Sequence, residues 1–504
     1  MGLLRYYEGQ EKGLDFFDDV KAHLVAPAAV QEAQMQEVLD KTLALAALTP
    51  AMQRFNSPLG KIRTLDDLAN SGFYTRSEDL LPRTNDDETW QSLLGHSNLR
   101  YDACTSGTTG KPKYMPFTGA STEHATLGFA GFFADELIAL HEKGVKKPVL
   151  LGLTGAELFV TYKCIPQLAN DMGMDVVHIP LGTALRNDAA AQELADYLAG
   201  NDVHGIFSLP TMIRPLEMKL RSMHNGDAAV ERLKRTCCFA GLGGTEMYPV
   251  LEDYLRTMFG TVINLLASTE FLVPFGSDGR QGAQKMHLNP SYAIAGVIPM
   301  DELEKERKEI GYAPKMLLLQ EAPIGTRGEL ALTMPAGVPW INARTDDFIT
   351  VVQGNGRYST PAIEYWARGS SILDIGGAKV YPQEFEKSMA AFDGKVTDWM
   401  IQAVKGEALG QIYDLLKVNY EGTATPEEVY LSLVANTSEF GVFASGYPLF
   451  EVEIHNSPEG SLQSARVRKM QELNGAPGPM KHKILKHLEY PDLQTVNVPY
   501  VIKI

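Results

Sequence analysis

The 504 residues include only four cysteines, Cys104, Cys164, Cys237 and Cys238. No Cys-x-x-Cys pair occurs, so neither a zinc site nor a redox dithiol is supported. The plainer reading is buried, reduced thiols in a cytosolic protein. Basic excess is missing too: 46 Lys and Arg stand against 62 Asp and Glu, a net charge of −16. With no long basic run to offset that charge, a nucleic-acid partner is not expected. No apolar run is long enough to span a bilayer, so no membrane partner is expected either. The start, MGLLRYYEGQ, has no signal-peptide apolar core, and Tyr6 stands where a myristoylation pattern needs Ser or Thr. A cytoplasmic protein is the expectation.

The chain is too long for one ordinary core, so two or more domains are expected. Residues 1–95 read as helical, with apolar positions at a 3.6-residue period in AAVQEAQMQEVLDKTLALAAL. From about 100 to 300, short apolar runs alternate with longer helical segments. The runs are KPVLLGLTG, DVVHIPL, HGIFSLP, RTCCFAGLGG and GTVINLLAS. This alternation predicts a parallel sheet with helical crossovers, and ligands on such sheets sit at the carboxyl ends of strands. Past residue 328 the texture turns strand-rich, in GELALTMP and DDFITVVQG. A compact α+β unit follows Ser370, with Pro382 and Thr425-Pro426 placed to open helices.

The stretch TSGTTGKPK, Thr105 to Lys113, is the densest chemistry in the chain. It is not a Walker P-loop, because Pro112 follows Gly110-Lys111 and the preceding glycine is too close. Nor does it contain the Gly-x-Gly-x-x-Gly of dinucleotide sites. It reads instead as a loop that can hold a polyphosphate. Gly107 and Gly110 allow close backbone approach. Ser106, Thr108 and Thr109 supply hydroxyl donors, and Lys113 adds charge. A simple surface turn is the alternative.

In order and composition, Thr105 to Lys113 resembles the phosphate-binding signature of the adenylate-forming superfamily: acyl- and aryl-CoA synthetases, peptide-synthetase adenylation domains and luciferases. Further segments follow in the family's order. FAGLGGTEM resembles the glycine-rich strand end beside adenine, giving Gly243, Gly244, Thr245 and Glu246. LLASTEF resembles the Tyr-Gly-x-Thr-Glu segment, giving Ser268, Thr269 and Glu270. ARTDDF resembles the Thr-Gly-Asp segment, giving Asp347. ARGSSILDIGGAKVYPQEFE resembles the hinge, giving Arg368 and a joint near Ser370. PMKHKILKHL resembles the closing Gly-Lys-x-x-Arg segment and gives Lys483 as the catalytic lysine, with Lys481 and Lys486 as rivals. Departures are Leu266-Ala267 for Tyr-Gly, Asp346 for the glycine before Asp347, His482 for the glycine before Lys483, and Lys486 for the arginine. The compact second domain and INARTDDF look more like phenylacetate–CoA ligases than fatty-acyl ligases.

The resemblance implies a fold and a reaction. The fold is a large N-terminal α/β domain over 1–368, with the ATP and acyl sites, and a small mobile α+β domain over 369–504 that carries the lysine. The reaction activates a carboxylic acid with ATP and Mg²⁺, releasing pyrophosphate and forming an acyl-adenylate. Transfer follows to a thiol, CoA first, or to a carrier-protein thiol or an amine. Thr105 to Lys113 would hold the β- and γ-phosphates, Thr269 the α-phosphate, and Glu270 the Mg²⁺. Asp347 would accept from the ribose hydroxyls. Arg368 would contact ribose or phosphate, and Lys483 would bridge the attacking carboxylate and the ribose-phosphate oxygen. Plainer alternatives stay open: Glu270 a strand-end surface residue, Asp347 a turn acid, Gly243-Gly244 a tight turn, Lys483 one of several solvated lysines. A non-catalytic nucleotide-binding regulator is the reading from another class. A homodimer is a further option for the assembly.

Overall fold

A computed structural model describes residues 4–82, 87–94, 99–104, 114–154, 160–210, 213–244, 247, 249–280, 282–368, 373–375, 378–380, 382–392, 394–408, 411–436, 450–462, 484–486 and 500–503. They fall into two compact units, Met1–Tyr365 and Trp366–Ile504.

The first unit is built on a 13-stranded sheet. Its centre is five parallel strands in the order Asp175–Pro180, Val149–Thr154, Gly205–Ser208, Phe239–Gly243, Thr261–Ser268. These are the five apolar runs read from sequence. They lack polar alternation because both faces are covered, as parallel sheets require: all five residues of Phe239–Gly243 are buried. One face packs Ile206, Ala240 and Val262 against Leu194, Val230 and Leu255 of the crossover helices. The other meets the helix Gly119–Glu142, where Phe129 and Phe133 touch Phe207 and Phe239 at 6.0 and 5.4 Å between ring centres. Truncating any of these rings to Ala costs about 3–5 kcal/mol by the usual scale of core cavities. That long helix starts on a reciprocal cap: the Thr118 hydroxyl accepts from the Ser121 amide, and the Ser121 hydroxyl accepts from the Thr118 amide.

Beyond Ser268 the sheet turns antiparallel through Leu272–Ser277 and Met286–Leu288. It continues through Ala362–Arg368, Val338–Val352, Arg327–Ala336, Ile294–Pro299 and Leu317–Leu318. Among the described residues the helical reading of 1–95 holds for most of that stretch, Arg5–Tyr7 excepted. Arg5–Tyr7 is a strand that pairs antiparallel with Val176–His178 at the sheet's edge. Three residues are too few to display a period, so the edge strand left no trace in the sequence.

The second unit has its own five-stranded sheet, ordered Ile484–Lys486, Val396–Ala408, Gln411–Gly422, Phe450–Ser457, Tyr500–Lys503. Helices Pro382–Ala390 and Pro426–Asn436 start at the two prolines anticipated above. Thr425 and Glu428 cap the latter reciprocally, at 3.2 and 2.7 Å. Phe385, Val429 and Leu433 bury against Ile401, Val418 and Val452. Among the described residues, Cys164 and Cys237 are buried free thiols and Cys238 is half-buried. No helix among them is long and apolar enough to cross a membrane.

Two buried imidazoles make stability depend on pH. His178 is fully buried, with Nε2 2.7 Å from the Thr154 hydroxyl. His124 Nε2 lies 2.7 Å from the Tyr292 carbonyl. Burial pushes both down to about 4. An imidazole with a depressed folded-state pKa favours folding while it is neutral. The contribution is therefore complete above about pH 6.5 and is lost as pH falls through about 4, on the order of 2–3 kcal/mol for each histidine. Urea midpoints should decline between pH 6.5 and 4, and His178→Asn should flatten part of that slope. A His178→Asn profile parallel to the wild type defeats the assignment.

Candidate active site

Two of the sequence-predicted segments end up side by side because their strands are neighbours. Gly243 closes the strand Phe239–Gly243 and pairs with Leu265. A Cβ there would lie 2.7 Å from the Leu265 carbonyl oxygen, and Gly244 has φ +80°. Only glycine meets both demands without strain. Thr245 and Glu246 lie outside the described residues.

The adjacent strand, Thr261–Ser268, doubles back at once, with Ser268 paired to Leu272. The Ser268 hydroxyl accepts the Phe271 amide at 3.0 Å. Phe271 is itself anchored: its ring is buried edge-on to Trp340, 5.2 Å between centres, and its carbonyl accepts the Tyr292 hydroxyl at 2.8 Å. Thr269 and Glu270, both half-buried, form the tip of this pinned turn, at the carboxyl end of a parallel strand. A carboxylate so placed can meet a cation or a donor without the backbone having to reorganise.

Trp340 belongs to Val338–Val352, the strand that also carries Asp347. Here the pairing with Arg327–Ala336 is irregular: Ala331 faces Arg344 while Glu329 faces Phe348. Leu330 therefore stands opposite three residues, Thr345, Asp346 and Asp347, a bulge larger than the usual two against one that re-aims the chain. Asp346 has φ +62°. That is the left-handed region a glycine occupies freely and an L-residue at a cost, with Asp among the more tolerant. Asp346, which stands where the resembled segment has glycine, thus holds a backbone angle that glycine adopts without strain. The Asp347 amide donates to the Thr345 hydroxyl at 3.1 Å, and that hydroxyl donates to the Leu330 carbonyl at 2.8 Å. Asp346 is exposed and Asp347 half-buried.

Behind the bulge sits a buried charge cluster that sequence reasoning missed. Arg344 Nε donates to Glu329 Oε2 at 2.9 Å, its Nη2 to the same oxygen, and its Nη1 to both Glu306 oxygens at 2.7 and 2.9 Å. Glu329 Oε1 accepts the Asp346 amide at 3.2 Å. Burial alone would lower the Arg344 pKa, but Glu329 and Glu306 raise it. The available signal was a Glu flanked by Gly and Leu in one strand and an Arg next to Ala in the other, since charges inside a sheet are rarely left unpaired.

The remaining candidates are placed only in part. Cys104 pairs with Tyr114, so Thr105, Ser106, Gly107, Thr108, Thr109, Gly110 and Lys113 join two paired strands but lie outside the described residues. Arg368 ends the strand Ala362–Arg368, with its side chain outside the described part. Ser370, Lys481 and Lys483 are also outside it, and Lys486 ends the short strand beside Ile401–Ala403. Phe207, Leu209 and Pro210, at the end of HGIFSLP, are candidates to line an acyl pocket or to pack in the core; Phe207 meets Phe129 at 6.0 Å between ring centres and Leu209 packs against the crossover-helix core.

Among the described residues no group of three or more His, Cys, Asp or Glu side chains gathers for a metal. A lone carboxylate at a strand end, such as Glu270, fits Mg²⁺, which takes one or two carboxylates and fills its shell with phosphates and water.

No family model and no curated protein matches the chain. Solved structures do. A GH3.15 acyl acid amido synthetase in complex with 2,4-DB superposes with a TM-score of 0.65 at 10% identity, covering 94% of each chain. A second GH3.15 acyl acid amido synthetase gives 0.63 at 13% identity, over 97% of this chain and 95% of its own. The 2-hydroxyisobutyryl-CoA ligase in its postadenylation state, with 2-HIB-AMP, gives 0.57 at 13%, over 94% and 90%. These similarities run through both units, and the chain shares its fold with these synthetase and ligase structures.

Proposed function

We propose that the chain is an ATP-dependent, AMP-forming carboxylate ligase. The observation that carries this reading is the meeting of Gly243-Gly244 and Ser268-Thr269-Glu270 at the carboxyl ends of adjacent strands in an adenylate-forming fold. Adenylation needs charge neutralised and atoms held in line more than it needs acid–base chemistry. The Gly243-Gly244 backbone leaves room for a flat base. The Thr269 hydroxyl donates to the α-phosphate, and Glu270 holds the cation. Asp347 accepts from the ribose hydroxyls, Arg368 contacts ribose or phosphate, and Thr105 to Lys113 hold the β- and γ-phosphates. Mg²⁺, when bound, neutralises phosphate charge. Lys483 supplies the cation that the attacking carboxylate requires.

The acceptor is a thiol in this reading, with CoA first and a carrier-protein thiol second. An amine is the alternative, favoured by the higher TM-scores of the amido synthetases. Pyrophosphate release with ATP, Mg²⁺ and a panel of carboxylic acids tests the first half-reaction; adding CoA or amino acids then separates the acceptors. ATP binding with no acid-dependent pyrophosphate would favour a non-catalytic regulator instead.

Asp347→Ala is expected to weaken ATP by about 1–3 kcal/mol, the scale of lost hydrogen bonds to a charged group. Asp346→Ala should affect ATP much less, because its side chain is exposed. Calorimetric titration of both variants checks this. The reverse ranking would move the site by one residue.

A further inference from the structure

Charged side chains are expensive to bury, and the side chains of Arg344 and Glu329 are 9% and 7% exposed. Their pairing explains how the cost is met but not why the charges sit there, since apolar residues would fill the same space at no loss of stability. The arrangement of acceptors is informative. Arg344 occupies Oε2 of Glu329. That leaves Oε1 turned to the amide of Asp346, the residue strained at φ +62°. On the other side of the bulge, the Thr345 hydroxyl takes the Asp347 amide and ties itself to Leu330. Glu306, on the helix Met300–Lys308, holds the far side of the guanidinium with two bonds. The Arg344 amide in turn donates to the Thr75 carbonyl at 3.0 Å. The two amides flanking the start of Asp347 are thus both held by side chains that are themselves fixed.

We propose that Glu329 and Thr345, braced by Arg344 and Glu306, are positioning residues that hold the 345–347 bulge so that the Asp347 carboxylate faces the nucleotide sugar. This rests on the reading of Asp347 as the ribose acceptor. Glu329 acts through its two oxygens together. One holds the guanidinium, and that bond aims the other at the Asp346 amide. Gln at this position offers one acceptor where two donors need it, so either Arg344 or Asp346 loses its partner. Thr345→Val keeps the shape and removes both hydroxyl bonds.

The test is calorimetric binding of ATP and of 2′,3′-dideoxyATP, which lacks the ribose hydroxyls, to the full chain. The proteins are wild type, Asp347→Ala, Glu329→Gln, Thr345→Val and the Glu329→Gln/Asp347→Ala double variant, each checked by its unfolding midpoint. A purely structural role would weaken both nucleotides alike. The positioning role predicts that Glu329→Gln and Thr345→Val weaken ATP by about five- to tenfold, the scale of one hydrogen bond to a charged group, while dideoxyATP stays within about twofold. It also predicts a double variant no weaker than Asp347→Ala alone, because the two changes remove the same interaction. Should Glu329→Gln fail to fold, Thr345→Val decides. Equal losses for both nucleotides, or an additive double variant, overturn the inference while Asp347→Ala still discriminates between them. An Asp347→Ala protein that loses both nucleotides equally, or a wild type that binds no ATP, removes the ribose reading and the inference with it.

Discussion

Glu270→Gln is expected to keep the wild-type unfolding midpoint and to lower acid-dependent pyrophosphate release by roughly 100-fold or more, the scale of losing an anionic ligand to a catalytic metal. The fold should survive because the turn is held by its neighbours, not by Glu270. Ser268 takes the Phe271 amide, Tyr292 takes the Phe271 carbonyl, and Trp340 packs its ring. Activity should suffer because Gln keeps the shape but offers a neutral oxygen, which binds a hard divalent cation weakly. Raising Mg²⁺ should recover part of the rate in the variant and little in the wild type. Near-normal release with an unchanged Mg²⁺ dependence would remove Glu270 from the metal site.

Lys483→Ala is expected to suppress acyl-adenylate formation by roughly 100-fold or more, as removing a preorganised charge partner from a transition state does. Transfer from pre-formed acyl-adenylate to the acceptor should be largely spared, since the role proposed for the lysine lies in the first half-reaction. Lys481→Ala and Lys486→Ala are the controls, because KHKILK offers three candidates within six residues. Burst measurement of adenylate and single-turnover transfer separate the half-reactions. Normal adenylation in Lys483→Ala with loss in a neighbour would shift the assignment. Normal adenylation in all three would place the lysine elsewhere.

The parallel centre was legible because each strand is a short apolar run buried on both faces, a pattern that needs no knowledge of its neighbours. The same holds for helix starts such as Thr425-Pro426-Glu427-Glu428, where cap and first turn are adjacent in the chain. The antiparallel half was read only as strand-rich. Its order depends on which edge each returning strand takes, and that is decided by packing.

For the candidate site the division is similar. The resemblance of short segments to the adenylate-forming superfamily named Gly243-Gly244, Ser268-Thr269-Glu270 and Asp347, since each signature lies within a few consecutive positions. Spacing could not bring the first two segments together; the order of the parallel strands did that. Nor could it reveal that Asp346 sits at φ +62°, or that Glu329 reaches its amide from 17 residues away. Those facts follow from the bulge in the register between Arg327–Ala336 and Val338–Val352. A register shift changes which side chains meet and which face they take, so the Glu329–Arg344 pair belongs to the tertiary structure alone.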